Sequence, residues 1–526
     1  AIKVSPVCVA IYIALLNTAL LAVVWWFTRS FFGSTVALWT TFLYAVFPLE
    51  IIQLRFYWNP CFLPLVVTGA MIGLLQVAVR RKAWHFVTVV LFICLGIQLH
   101  LSAVMMIPGV VIVLLAARVR IPVRVWVTAL ILTLILFSPL IVSELTTDKS
   151  NLVQVLTSPD THRGSLERFE FNPNGLTNFF HHVRLQMYER GEAVGFTYLQ
   201  TMPLIGDHWL GRGRMLIAKT INAFGQIELL FWGLGIAICV REIYRFARAS
   251  KPKPVGADKN ARNRMLLCLT LLVWQLVPIF FLSFFNFHGQ PSEPPSVVSL
   301  RYYLVTYPAV FITTALGLTG LILWVKNGRE IFSLRRLQWV VPAVGIVLVA
   351  LHFTFDLLYL QMIERSGRWI PYNFPNLAPN MRTMLKVREI LLGQARIDRE
   401  AWFKRVHTQQ LGDYYFGEAT FDWLITQDPR SMTNLSPDPH LRWLLHSPFE
   451  DARTSSLAPK IPEGAQEIRR WTIDETGISI LEYRVDDPQQ PVPDNSRMRN
   501  YYYKDNPMRY LGPGASFREG RGGEKQ

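Results

Sequence analysis

The run Arg55-Phe56-Tyr57-Trp58-Asn59-Pro60 places a guanidinium and a carboxamide among aromatic rings, inside chain that is otherwise built from long apolar blocks. A cation beside a bilayer core costs several kcal/mol unless it is paired or reaches the surface, so its presence marks a candidate functional site. Two further polar stretches have the same character. His100 lies in Gln98-Leu99-His100-Leu101-Ser102-Ala103, and Arg301-Tyr302-Tyr303 opens a later apolar span. Arginine binds phosphate oxygens with a planar fork and stays charged at any working pH, which suits an anionic, lipid-linked substrate. Arg301 is the first choice for a phosphate. The competing reading is an interfacial anchor beside Tyr302 and Tyr303.

Arg55, Trp58 and Asn59 form the second constellation, able to orient a sugar or phosphate by hydrogen bonds. Asn59-Pro60 also reads as a plain helix start, with Asn as N-cap and Pro in the first turn. Glu50 stands near Arg55 and serves either as its charge partner or as a carboxylate offered to the cavity. His100 is able to donate to phosphate or shuttle a proton, or to act as a hydrogen-bonded corner residue.

The elements that must position these residues are legible in the hydropathy. Of 526 residues, 51% are hydrophobic and 17% charged, and the apolar ones come in blocks close to the ~20 residues that cross a bilayer core. The expected spans are 7–28, 34–54, 60–79, 84–100, 101–117, 122–142, 223–241, 265–285, 302–325 and 339–361. The run 84–117 is too long for one crossing, and two short helices are expected to meet near His100.

Charge tests this count. Arg29, Arg80-Arg81-Lys82, Arg118, Arg120, Arg124 and the segments 241–264 and 326–338 together hold 19 Lys or Arg, whereas the alternate short loops hold only Arg55 and Arg301. All basic loops then fall on one side, which the positive-inside rule makes cytoplasmic. Much of the net charge of +16 is therefore a topology signal and not a nucleic-acid footprint. The cysteines (Cys8, Cys61, Cys94, Cys239, Cys268) lie in or beside apolar blocks, so no disulfide framework is indicated.

The expected architecture is an α-helical polytopic membrane protein of about ten spans over 1–361, with a C-terminal α/β extracytoplasmic domain over 362–486 and an extended or disordered tail over 487–526. The outer loop 143–222 carries Leu176, Phe179, Phe180, Val183 and Met187 at helical spacing, read as a helix in the interface or one packed on the tail domain. In the tail, 381–393 reads as an amphipathic helix and Ile478–Arg484 alternates like a strand. The chain opens close to its first span without a positive leader segment, and the expectation is of a longer protein with at least one further helix upstream.

The order RFYWNP, QLHLSA and SLRYYLVTYP along such a topology resembles bacterial GT-C glycosyltransferases, in particular the protein O-mannosyltransferase-like (family 39) group and the lipid A aminoarabinose transferases. The resemblance covers about residues 7–361. It implies an inverting transfer outside the membrane, in which a sugar on a polyprenyl phosphate is displaced by an acceptor hydroxyl of a protein, lipid or glycan. The family acid belongs to a first outer loop that has no counterpart in this sequence, so no catalytic residue is assigned by motif; Glu50 and His100 are the candidates. The family's Arg followed four or five residues later by Asp is here Arg55 followed by Asn59 and Pro60, which removes a carboxylate. Arg301 matches the family's Arg-Tyr position.

The implied partners are the polyprenyl-phosphate donor, the bilayer and an extracytoplasmic acceptor, with a bacterial inner-membrane location and no nucleic acid. No cofactor is predicted, and a divalent metal is left open. His162, His181, His182 and Asp207-His208 lack metal-ligand spacing, and the WWDxG-type signature is missing, since Trp25-Trp26 is followed by Phe27. No P-loop appears. The rival readings are an O-antigen ligase or polymerase, a flippase of lipid-linked sugars, and a non-catalytic scaffold.

Overall fold

The computed structural model describes residues 6–47, 51, 62–146, 175–184, 213–248, 257–284, 304–327, 332–366, 368–369, 378–379, 381–397, 405–409, 438–446, 461, 464–473 and 478–488. The chain divides into two units, one of residues 1–196 with 212–356 and one of 197–211 with 357–526.

The first unit is helical. Its elements are α1 (Pro6–Phe32), α2 (Ser34–Ala45), α3 (Leu63–Ala78), α4 (His85–Leu99), a 3-10 turn (Leu101–Met105), α5 (Met106–Ala117), α6 (Val123–Thr146), α7 (Gly175–Arg184), α8 (Gly213–Arg248), α9 (Ala257–Phe284), α10 (Tyr307–Asn327) and α11 (Phe332–Ser366). Helices overlie each of the ten expected spans. Among the described residues four stretches are both long and apolar enough to cross a membrane, Ile11–Phe32, Val123–Val142, Lys259–Phe284 and Tyr307–Lys326. Leu63–Ala78, His85–Leu99, Leu101–Ala117 and Trp339–Thr354 are shorter apolar helices. The lipid-facing character of α6 is plain from Val123, Trp126, Leu130, Leu134 and Ile135, all exposed.

The basic turns after α1, α3, α5 and α8 share one end of this bundle, and specific contacts tie them together. The Arg80 guanidinium lies 5.0 Å from the centre of the Phe31 ring, at the end of α1. Arg81 donates to the Arg118 carbonyl across 3.5 Å, and Arg262 of α9 donates to the Ala117 carbonyl at the end of α5. Arg264 and Glu242 approach to 3.7 Å and join α9 to α8. Arg81 and Arg118 both adopt left-handed backbone, with φ of 58° and 47°. The turns after α3 and α5 thus reverse the chain sharply without glycine.

Helix packing in the bundle depends on small residues. A Cβ on Gly235 would run into the Thr313 backbone, and one on Gly317 into the Phe231 carbonyl, so α8 and α10 approach backbone to backbone. The same interface carries a polar ladder. Trp232 Nε1 donates to Gln275 Oε1 at 2.7 Å, and Gln275 Nε2 donates to Thr313 Oγ1 at 2.8 Å. In an apolar interior each such group needs a partner, and here α8, α9 and α10 satisfy one another.

The amphipathic outer helix is present as α7. Leu176 and Phe180 are exposed, while Gly175 lies against the Phe284 ring at the end of α9.

The second unit contains a short antiparallel pair, β1 (Arg368–Trp369) with β2 (Ala378–Pro379), and a helix α12 (Met381–Glu389) that runs into a π-helical turn, Ile390–Gln394. A four-stranded sheet follows, β3 (Val406–Gln409), β4 (Leu441–His446), β5 (Gln466–Ile473) and β6 (Ile478–Arg484), in the order β3-β4-β6-β5. β3 is parallel to β4, and the other pairings are antiparallel. Met384, Val387, Leu391 and Leu392 cover one sheet face over Trp443, Leu445, Ile478 and Ile480. Leu444, Leu481, Tyr483 and Val485 form a second core on the other face. Burial on both faces explains why β4 and β6 are apolar nearly throughout. Arg442 is buried as well and donates to the carbonyls of Pro439, Leu441 and Pro488.

Candidate functional site

Glu50, Arg55, Trp58, Asn59, Arg301 and Tyr302 lie outside the described residues, so their candidacy rests on the sequence. The described elements that flank them are well fixed. On one side of the Arg55 stretch, α2 ends in a cluster where Tyr44 stacks on Phe311 at 4.9 Å and Phe47 meets the same ring edge-on at 5.1 Å. On the other side, Phe62 precedes α3 and faces Tyr12 of α1 at 6.2 Å. After Arg301-Tyr302-Tyr303 the chain is pinned at once. Trp274 Nε1 donates to the Val305 carbonyl at 2.6 Å, and Leu304, Val305, Thr306 and Tyr307 are all buried.

His100 is the one predicted site residue among those described. α4 ends at Leu99, His100 takes an extended backbone, and the 3-10 turn follows, so two short helices meet here as the length of the apolar run requires. The Ser102 backbone N–H donates to His100 Nδ1 at 3.2 Å, and Ser102 Oγ lies 2.8 Å from the same nitrogen. The imidazole therefore caps the turn. With Nδ1 held as an acceptor, the neutral ring carries its proton on Nε2 and is a donor there. That arrangement suits a phosphate oxygen better than it suits a general base.

A second polar centre was missed in the sequence. Glu228 of α8 and His352 and Asp356 of α11 are each only 4% exposed. His352 Nδ1 lies 3.5 Å from Glu228 Oε1, and the Phe47 ring packs edge-on against the imidazole at 5.8 Å. Asp356 follows His352 by one helical turn, on the same face of α11. Counted along the helices, Glu228 is 13 residues before Arg241 and His352 is 16 after Arg336, or about 20 and 24 Å from those basic ends. The centre thus lies deep in the bundle, towards the end of α2 that leads into Glu50 and Arg55. Its sequence signal is a Glu in the span 223–241 and a His-x-x-x-Asp in the span 339–361. Single charges inside apolar spans are easily averaged away by a hydropathy window.

Among the described residues no group of three or more His, Cys, Asp or Glu side chains is placed to hold a metal ion.

No protein-family model matches the chain, and no curated protein matches it. Among solved structures it is similar to the crystal structure of ArnT from Cupriavidus metallidurans bound to undecaprenyl phosphate. That comparison gives 15% identity over 92% of this chain and 85% of the other, with a TM-score of 0.39. It is also similar to ArnT from the same organism in the apo state, at 13% identity over 92% and 84% of the two chains, with a TM-score of 0.40.

Proposed function

We propose that this chain is a membrane glycosyltransferase that moves a sugar from a polyprenyl-phosphate donor to an acceptor hydroxyl on the outer face of the membrane. One observation supports the reading above the others. The arginine contacts gather the basic turns at one end of the bundle, and the three polar stretches adjoin helix ends remote from those turns. Arg55 precedes α3, His100 follows α4 and Arg301 precedes α10. Each of these helices has its basic residues, Arg80-Arg81-Lys82 or Lys326, at its other end.

In this reading the acceptor hydroxyl attacks the anomeric carbon with inversion, the bond from that carbon to the phosphate oxygen breaks, and the hydroxyl proton passes to a carboxylate, for which Glu50 is the candidate. Arg301 meets the charge that builds on the departing lipid phosphate. Tyr302, Arg55, Trp58 and Asn59 hold the sugar and phosphate, and His100 donates to a phosphate oxygen from Nε2. Glu50 is the carboxylate nearest in sequence to this constellation. The acceptor is a protein, a lipid or a glycan in the bacterial cell envelope.

The test is turnover in proteoliposomes supplied with a labelled polyprenyl-phosphate sugar. Arg301→Ala is expected to lower the rate about 100-fold or more while leaving membrane insertion intact. Unchanged turnover in that variant overturns the assignment. A second reading, a flippase of lipid-linked sugars, is favoured by the buried Glu228–His352 pair, since ionisable groups within spans mark proton relays in transporters. Movement of labelled lipid across the vesicle with no new glycosidic bond would select it.

A further inference from the structure

We propose that Glu228, His352 and Asp356 form a proton-binding site inside the helical bundle, in which Glu228 and His352 lie side by side and the Asp356 carboxyl carries the proton. The inference holds for an enzyme or a transporter and does not depend on the transferase reading. Its starting point is Asp356, which is 4% exposed and, among the described residues, has no hydrogen-bond partner for Oδ1 or Oδ2. A bare carboxylate so enclosed is far costlier than a neutral acid, because ionised groups lose much more hydration on burial. The two other groups lie beside each other, with His352 Nδ1 3.5 Å from Glu228 Oε1 but no hydrogen bond between them, and Phe47 packs edge-on against the imidazole ring. Among the described residues Asp356 has no compensating charge of its own.

No cation from the neighbouring elements takes that role. α2 has no charged residue, and the one charge of α10 is Lys326 in its last turn. α9 has its charged residues in its first two turns, Asp258, Lys259, Arg262 and Arg264, beside the basic turns. On α8 the nearest cations are Lys219 and Arg241, 9 and 13 residues from Glu228, or about 13 and 20 Å along the helix. On α11 the nearest charged residues in sequence beyond the cluster are Arg336 on one side and Glu364 and Arg365 on the other, the last two 8 and 9 residues after Asp356. Glu50 follows Phe47 by three residues and is a further acid, outside the described residues. A metal ion does not fit, since the three side chains are not grouped as ligands. A proton is the ligand that this chemistry takes.

The full chain in lipid nanodiscs, labelled with carbon-13 aspartate, tests this by infrared difference spectroscopy titrated between about pH 5 and 9. A protonated-carboxyl stretch that shifts with the label is expected in the wild type and should vanish in Asp356→Asn. Asp356→Glu keeps the acid should the first variant fail to fold, and its band should lose sensitivity to aspartate labelling. The absence of any label-sensitive protonated band in the wild type overturns the proposal. So does an unchanged, label-sensitive band in either Asp356 variant.

Discussion

The two depths of the helical bundle handle charge in opposite ways. At the basic end, arginines lie at the surface and reach sideways to carbonyls, rings and one glutamate, so each guanidinium keeps access to water while it ties two turns together. Towards the other end, Glu228, His352 and Asp356 are enclosed by protein, and their charges must be met by one another or removed. The difference teaches that charge near the basic turns orients and fastens helices at little cost, whereas charge in the interior is expensive enough to imply a use.

The comparison is broken most strongly by removing an interior partner. Glu228→Ala is expected to cost about 2 to 3 kcal/mol, because it empties a buried site and removes the polar group beside His352. Thermal unfolding of the full chain in detergent should show a large drop. Arg262→Met, at the basic end, removes one charged donor from the Ala117 carbonyl and should cost about 1 to 2 kcal/mol in the same assay. Glu242→Gln weakens the contacts to Arg241, Arg245 and Arg264, whose side chains are mostly exposed, and should cost less than about 1 kcal/mol. The effect should fade further at high salt, which a salt series of melting curves would reveal.

The smallest effect is expected in the second unit, which supplies a surface pair for reference. Arg470 grips Glu467 through two hydrogen bonds of 2.9 and 2.7 Å, and this holds the Glu467 carboxyl below the usual carboxylate range. A lowered carboxylate contributes stability above its unfolded-state value and loses it as pH falls through its folded-state value. The pair should therefore act at neutral pH and disappear on acidification through the carboxylate's lowered folded-state range. Because both groups are substantially exposed, Glu467→Gln should change stability by less than about 1 kcal/mol at neutral pH and by nothing in acid. The residues are three apart in a strand and would point to opposite faces, but a register shift between Glu467 and Arg469 brings them together.

Much of the fold was legible because lipid imposes a simple grammar. Apolar blocks, basic turns and breakers placed the helices, and the length of 84–117 required the corner found at His100. The amphipathic periods of 176–187 and 381–393 and the alternation of Ile478–Arg484 likewise correspond to α7, to α12 with its π turn, and to β6. Asp356 and His352 escaped notice because their cost depends on which face of α11 packs against α8, and that is set by tertiary contacts. The strand order was hidden for a related reason. Val406 pairs with Trp443 and Leu441 with Arg484, and nothing local to any of these residues specifies its neighbour. Of the candidate binding residues, the structure speaks to His100 alone, and there it adds the tautomer that the sequence had left open.

The parallel pairing of β3 with β4 has a consequence in time. A parallel pair needs a crossover connection, and here 31 residues separate Gln409 from Leu441. β6, which completes the centre of the sheet, comes later still. Contacts so far apart in sequence form slowly, because the loop must close before any pairing rewards it. Synthesis from the N-terminus delivers the helices first, so this sheet should be the last part to mature, gaining protease resistance only after the helical bundle has done so.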